Sequence, residues 1–402
     1  MKRVFKDCRT IQRYRSGLFG PYVERLAERL CQQGYSREQA QRHLLTVDDF
    51  GRWLQRRRIA IFDVSLADAQ RYLRFSDRSH KNSAALKLLF EILVQEGHVF
   101  PNTPRTRAEF VVDRFADYLT EQRGLALGTI ANRKAIVTAF LARTFGKTCL
   151  NLARIQPRHL IGFVQEESTR RDKSIKLVET SLRSFMRYLL FTGSLNRDLS
   201  AAVPSAPSIR RFSGIPRYLL ADQVSRILES CDRRTHKGRR DYAILLLLAR
   251  LGLRAAEVEN LKLDDIDWSS GIVTIHGKGG KMSQLPLLDD VGKAISAYLQ
   301  KDRRPSPERT IFQQVAAPHT GLSGSVGHIV RFAMDRAGVQ ASTKGSHQLR
   351  HTIGNQMLTK GASLAEIGEV LRHEHSDTTF IYSKVDIGAL RPLARSWPGD
   401  AP

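Results

Sequence analysis

GLRAAEVENLKLDDIDWSSGIVTIHGKGGKMSQLPL, residues 252–287, changes its periodicity part-way and so decides the fold around it. Its first part, RAAEVENL at 254–261, has helical spacing, with Glu257 one turn beyond Arg254 and able to hold its guanidinium. GIVTIH at 271–276 is β-branched, GKGGK at 277–281 turns the chain, and 283–288 returns, which predicts a strand, a glycine-rich turn and a second strand. Around this hairpin the period is helical. Segments 220–231 and 241–251 precede it, the second apolar enough to lie inside a core, and 291–301, 326–337, 347–359, 364–372 and 378–385 follow. The expectation is a mainly α chain whose C-terminal part is an α+β domain with a small antiparallel sheet.

Six side chains suited to phosphodiester chemistry fall in order through this region: Arg254, Lys278, His347, Arg350, His373 and Tyr382. A planar guanidinium fork at Arg254 suits two phosphate oxygens. Lys278 sits at the hairpin tip between glycines, where an ammonium can protonate a departing oxygen, with Lys281 its rival in the same turn. HQLRH at 347–351 puts His347, Arg350 and His351 on one helical face. Gln348 replaces the acid of an H-E-x-x-H zinc motif, so phosphate binding by His347 and Arg350 is the better reading, with His351 packing or bonding locally. Ser363 and Glu366 form a capping-box pattern that starts the helix delivering His373, and Tyr382 follows early on the next helix. A phenol of pKa about 10 needs a base or a strongly cationic setting to attack. Taken singly, each residue reads as surface or packing; order and spacing carry the case.

Composition agrees. The 402 residues imply two or three domains, and 64 Lys plus Arg against 40 Asp plus Glu give a net charge of +24, which favours a polyanionic partner. No apolar run is long enough to span a bilayer and the N-terminus has no apolar signal core, so a cytoplasmic location is expected. Cys8, Cys31, Cys149 and Cys231 form no C-x-x-C pair and read as reduced, small apolar residues.

The first two hundred residues read as one helical pattern written twice. A helix-ending glycine (Gly34, Gly124) precedes an amphipathic stretch (39–54, 129–141). A short helix signal follows, with Val64, Ala69 and Tyr72 matched by Ile155, Leu160 and Phe163, and then an apolar helix closed by Gly97 or Gly193. Cations line both copies: Arg52, Arg56, Arg57 and Arg58 in one, Arg170, Arg171, Lys173, Lys176, Arg183 and Arg187 in the other. With the net charge, a phosphate-tracking surface is the better reading of such runs. AAVPSAPSIRRFSGIP at 201–216, with three prolines and Arg210 and Arg211, reads as a basic linker. The expected modules are 1–104, a helical module; 105–200; the linker 201–217; and 218–402.

At this point the residues resemble a known family. From about 219 to 386 the chain is similar to the catalytic domain of the tyrosine recombinases, or phage-integrase-type recombinases, on GLRAAEVENLKLDDID, HGKGGKMSQLPL, HQLRHT and LRHEHSDTTFIYSKV. The family's first arginine falls on Arg254, its hairpin lysine on Lys278, its H-x-x-R pair on His347 and Arg350, its later His/Trp position on His373 and its nucleophile on Tyr382. Residues 106–197 are similar, by pattern only, to the family's helical core-binding domain. The segment 386–400 resembles integrases of bacterial transposable elements. Arg372 departs from the pattern, standing where many relatives have Gly, and His375 is an extra imidazole; the division of acid and base labour between His347 and His373 therefore stays open.

The resemblance implies attack by Tyr382 on a DNA phosphodiester to give a 3′-phosphotyrosyl link, with no metal or nucleotide cofactor. Arg254, Arg350 and His347 would stabilise the oxyanions, Lys278 would act as general acid and His373 would assist the tyrosine or hold the phosphate. Arg170, Arg171, Lys173, Lys176, Arg183, Arg187, Arg210, Arg211 and Lys281 would hold the DNA backbone. Four protomers on two double-stranded sites are implied, in the cytoplasm on the nucleoid; a need for partner recombinases or accessory proteins is left open. Three rivals also stay open: type IB topoisomerase-like swivelling, a non-catalytic DNA-binding protein and a metal-dependent nuclease.

Overall fold

The computed structural model describes residues 1–75, 79–98, 106–146, 150–170, 175–205, 218–277, 280–341, 343–373 and 376–385. The described chain is mainly helical, with one three-stranded antiparallel sheet. It divides into two compact groups, Asp49–Ile209 on the one hand and Met1–Asp48 with Arg210–Pro402 on the other.

Within 49–209 the two-copy pattern becomes a repeated order of elements. A 3-10 turn, Ile61–Asp63, leads to helices Leu66–Phe75 and Ser79–Gln95; a second turn, Leu152–Arg154, leads to Pro157–Arg170 and Ile175–Phe191. The six matched positions, Val64, Ala69, Tyr72, Ile155, Leu160 and Phe163, are all buried, as residues repeated for packing should be. Helix Arg107–Glu121 begins with a capping box in which the Thr106 hydroxyl accepts from the Glu109 N–H at 3.2 Å and the Glu109 carboxylate accepts from the Thr106 N–H at 2.8 Å. Its face of Val112, Phe115 and Leu119 packs with Val137 and Phe140 of helix Leu127–Phe145 and with Leu182, Phe185 and Leu189 of the last helix.

In the other group the helix His236–Leu251 is central. Residues 243–248 are buried all round, and the helix packs on Asp289–Lys301 and on Ser346–Thr359. Thr235 caps its start, accepting from the Gly238 N–H at 3.0 Å, and Gly252 ends it at φ +61°, in the left-handed region that glycine enters without steric cost. A buried ion pair, Arg240 with Asp241 at 2.6 Å, also binds the Gln313 carbonyl at 2.9 Å, so the charges carried inside are satisfied.

The hairpin forms as expected from β2 (Ile272–His276) and β3 (Met282–Pro286), in the register Val273 to Leu285 and Ile275 to Ser283. Val273 and Ile275 alternate inward to the core. A third strand, β1 (Ile266–Asp267), pairs antiparallel with β2 and was not anticipated: two residues are too short for any alternation to register in sequence. The central helix also starts five residues before the expected 241, because HKGRR extends it from the Thr235 cap without adding apolar period. Leu247 is fully buried in that helix, so Leu247→Ala should destabilise by about 2–5 kcal/mol, seen as a lowered denaturant midpoint; an unchanged midpoint would place the core elsewhere.

Candidate active site

Two helix ends converge on one guanidinium. Arg350, buried on helix Ser346–Thr359, donates through Nη1 to the carbonyl of Gly252 and through Nη2 to the carbonyl of Leu371. Both acceptors close helices, His236–Leu251 and Leu364–Val370, whose last carbonyls lack partners inside the helix and carry the negative end of its dipole. Burial, with the charges of Arg254 and Arg372, pulls Arg350 down to about 10, which leaves it charged at neutral pH.

Arg254 follows two residues after Gly252 and caps the short helix Ala255–Asn260. Its guanidinium donates to Glu257 Oε1 at 2.6 Å and to the Arg372 carbonyl at 2.9 Å, so the partner expected from the one-turn spacing is the partner found. Glu257 is buried and also bonds Arg372 at 3.0 Å. Burial by itself would raise its carboxyl, but the Arg254 N–H and the charges of Arg372 and Arg254 outweigh it and hold the group below the ordinary carboxylate range.

Ser363 and Glu366 make the expected capping box at the start of Leu364–Val370, with the Ser363 N–H donating to Glu366 at 2.7 Å. The chain leaves this helix through Arg372 at φ +54°. A residue with a Cβ pays roughly 1–2 kcal/mol there, which is the physical reason a glycine suits the position and an arginine needs a compensating contact. His373 comes next and bonds the Thr379 hydroxyl at 2.7 Å through Nδ1.

Tyr382 lies on a 3-10 helix, Phe380–Val385, after a single α-turn, Ser376–Thr379, where one continuous helix was expected. The ring is fully buried among Ile353, Ile367 and Leu371. It stacks nearly parallel to His373, centroids 6.5 Å apart and planes within 7°. Its hydroxyl is 3.1 Å from Nδ1 of His351, a hydrogen bond whose direction the histidine tautomer sets. Gly354 makes the space: a Cβ there would lie 2.4 Å from the ring carbon that bears the hydroxyl. Burial pushes the phenol up to about 12 and Arg350 opposes it. Burial also lowers His347 and His351, helped by Arg350, and takes His373 down to about 4, again with Arg350 and Arg254 assisting.

A cavity of about 570 Å³ opens beside this cluster, lined by Arg254, Lys281, Arg372, His373 and Thr379 among others. Of the residues singled out in sequence, Arg254, Arg350, His347, His373 and Tyr382 thus belong to one neighbourhood. Lys278 lies outside the described residues, as do His375, Arg171, Lys173, Arg210 and Arg211. In the other compact group Lys176 and Arg187 are exposed, Arg170 leans on Glu167 at 3.9 Å, and Arg183 donates to the Val203 carbonyl at 2.9 Å and the Ser205 hydroxyl at 2.6 Å. The residues that sequence reading did not assign to the site are His351, Gly354 and Glu257's second partner, Arg372. His351 had a usable signal, its i, i+4 spacing from His347; their rings lie 6.4 Å apart.

Residues 217–387 match the pattern of the phage integrase family. An inferred integrase/recombinase of Sinorhizobium fredii, y4rA, is 40% identical over 390 residues, covering 94% of this chain and 95% of that protein. This chain belongs to the tyrosine recombinase, or phage integrase, family. The tyrosine recombinase XerD of Listeria monocytogenes serotype 4b is 27% identical over 283 residues, 68% of this chain and 94% of its own. Among solved structures, the XerH site-specific recombinase in a post-cleavage complex with palindromic difH substrate shares the fold, with a TM-score of 0.55 at 19% identity, covering 81% of this tyrosine recombinase and 94% of XerH.

Two predictions follow from the geometry of this tyrosine recombinase. Gly354→Ala should displace the Tyr382 ring, so that peptide mapping after tetranitromethane finds Tyr382 nitrated in the variant and protected in the parent; equal protection would mean the ring is not seated on Gly354. His373 titrates near 4 against an ordinary 6.5, so the unfolded chain binds more protons between those values. Its contribution to stability is complete above about 6.5 and is lost as pH falls through about 4. Melting temperatures of His373→Gln should therefore fall less between pH 7 and pH 4 than those of the parent, and an equal or steeper fall would contradict the assignment.

Proposed function

We propose that this tyrosine recombinase is a site-specific DNA recombinase or integrase that cuts and rejoins strands through Tyr382. The observation that carries the reading is the convergence of Arg254, Arg350, His347, His373 and Tyr382 on one cluster beside an open, cation-lined cavity. Arg254 and Arg350, with His347, are suited to stabilise the non-bridging oxygens of the phosphorane-like state. In the cleavage step Tyr382 Oη forms a bond to phosphorus, and the bond to the 5′ oxygen breaks. The phenolic proton passes to His351, the imidazole already in contact with the hydroxyl, and Lys278 as general acid protonates the leaving 5′ oxygen. A 5′ hydroxyl of a second duplex then attacks the 3′-phosphotyrosyl link and the protons return, so bond energy is conserved without metal or nucleotide. Because Tyr382 is fully buried at rest, its short segment has to shift toward the cavity to react.

The remaining parts fit around this chemistry. Residues 218–402 form the catalytic domain, 105–200 the core-binding module, 201–217 the linker and 1–104 an extra DNA-binding arm, with the buried core within 112–203 supporting the second of these. Lys176, Arg187 and Lys281, together with Arg170, Arg171, Lys173, Arg183, Arg210 and Arg211, track phosphates. The active assembly is four protomers on two duplex sites. The net charge of +24 also predicts binding that weakens steeply with salt, by a slope of about −0.9 per phosphate neutralised.

The test uses duplex DNA from the flanks of the gene, nicked so that cleavage traps the covalent product. The parent should give a denaturation-resistant protein–DNA band, unaffected by EDTA, and Tyr382→Phe should bind DNA with similar affinity but give no band. A band surviving in the variant, or one lost in EDTA, would refute the reading; relaxation of supercoils without recombinant product would point to swivelling instead.

A further inference from the structure

Two guanidinium groups, Arg254 and Arg372, share one carboxylate, Glu257, and only the first of them belongs to the phosphate-binding set described above. Arg372 is held in a left-handed backbone conformation at φ +54° that a glycine would adopt without strain. Its side chain is only 10% exposed, and its Nη2 bonds Glu257 Oε2 at 3.0 Å while Nη1 bonds the Val370 carbonyl at 3.0 Å. Its Nε is buried without a hydrogen-bond partner, and the residue lines the same cavity as Arg254, Lys281 and His373. An arginine buried at a strained position with one donor unspent is expensive for a purely structural residue.

We propose that Arg372 is a positioning residue for strand cleavage: by taking up half of the Glu257 carboxylate it leaves the charge of Arg254 uncompensated toward a phosphate in the cavity. Without it, Arg254 and Glu257 form a closed pair of zero net charge, bonded at 2.6 Å, and the carboxylate faces the incoming phosphate with a full negative charge. With it, the trio carries a net +1 and holds Arg254 between two anchors, the Glu257 carboxylate and the Arg372 carbonyl. The carbonyl anchor survives any substitution at 372, and two variants of equal strain that differ in charge, lysine and glutamine, isolate the charge.

The inference rests on cleavage by Tyr382, and the experiment separates the two. Single-turnover rates of covalent adduct formation at saturating DNA are measured for the parent and for Arg372→Gly, Arg372→Gln and Arg372→Lys, alongside melting temperature and DNA affinity. Glycine removes the backbone strain along with the ion pair to Glu257, so its variant should stay cooperatively folded, with Arg254 still paired to Glu257, yet cleave about tenfold or more slowly. Glutamine and lysine carry equal strain; lysine should recover much of the rate and glutamine none, with DNA affinity unchanged throughout. The proposal is overturned if the glycine variant cleaves at the parental rate, or if glutamine and lysine behave alike. A parent that forms no adduct would instead remove the cleavage reading itself.

Discussion

The C-terminal half of this protein depends on the burial of one charged side chain, Arg350, against the carbonyl ends of two helices. Each hydrogen bond from a charged donor contributes about 1.5–3 kcal/mol, and here each also fixes where a helix stops. Just past one stop stands Arg254 and just past the other stand Arg372 and His373. Distance between these groups therefore follows from a single fork of donors rather than from the flexible segments that connect them. The same fork lies close enough to Tyr382 to oppose the rise in its pKa.

The electrostatics of the cluster are asymmetric. Cations outnumber the one central carboxylate, so the imidazoles of His347, His351 and His373 are kept in their neutral forms by burial and by arginine charge together. In the proposed chemistry, neutral imidazoles next to a protonated phenol are suited to take a proton, and the charged guanidinium groups to meet the phosphate. Proton transfer and charge stabilisation are separated in that chemistry by being assigned to different residue types.

What could be read from sequence was what local spacing determines. Arg254 and Glu257, Ser363 and Glu366, and the glycine-rich hairpin are each set by residues within one or two turns of one another, and each appears where expected. The offset between Val64 and Ile155 was legible for the same reason, since packing repeats with the element that carries it. The bond from His351 to Tyr382 was not, because it joins positions 31 apart whose approach depends on the vacancy at Gly354. Nor could the sequence tell that Arg372 occupies a left-handed turn and shares a carboxylate 115 positions away. The single helix expected through Tyr382 breaks into an α-turn and a 3-10 helix. Contacts of that range follow from the closure around Arg350 and leave no periodic trace.

The claim most exposed to test is that the buried phenol becomes the point of attachment. Mass spectrometry of protease digests from trapped protein–DNA complexes should recover the peptide containing Tyr382 carrying a 3′-linked nucleotide phosphate. Attachment at another residue, or turnover with no adduct on any peptide, would contradict the account.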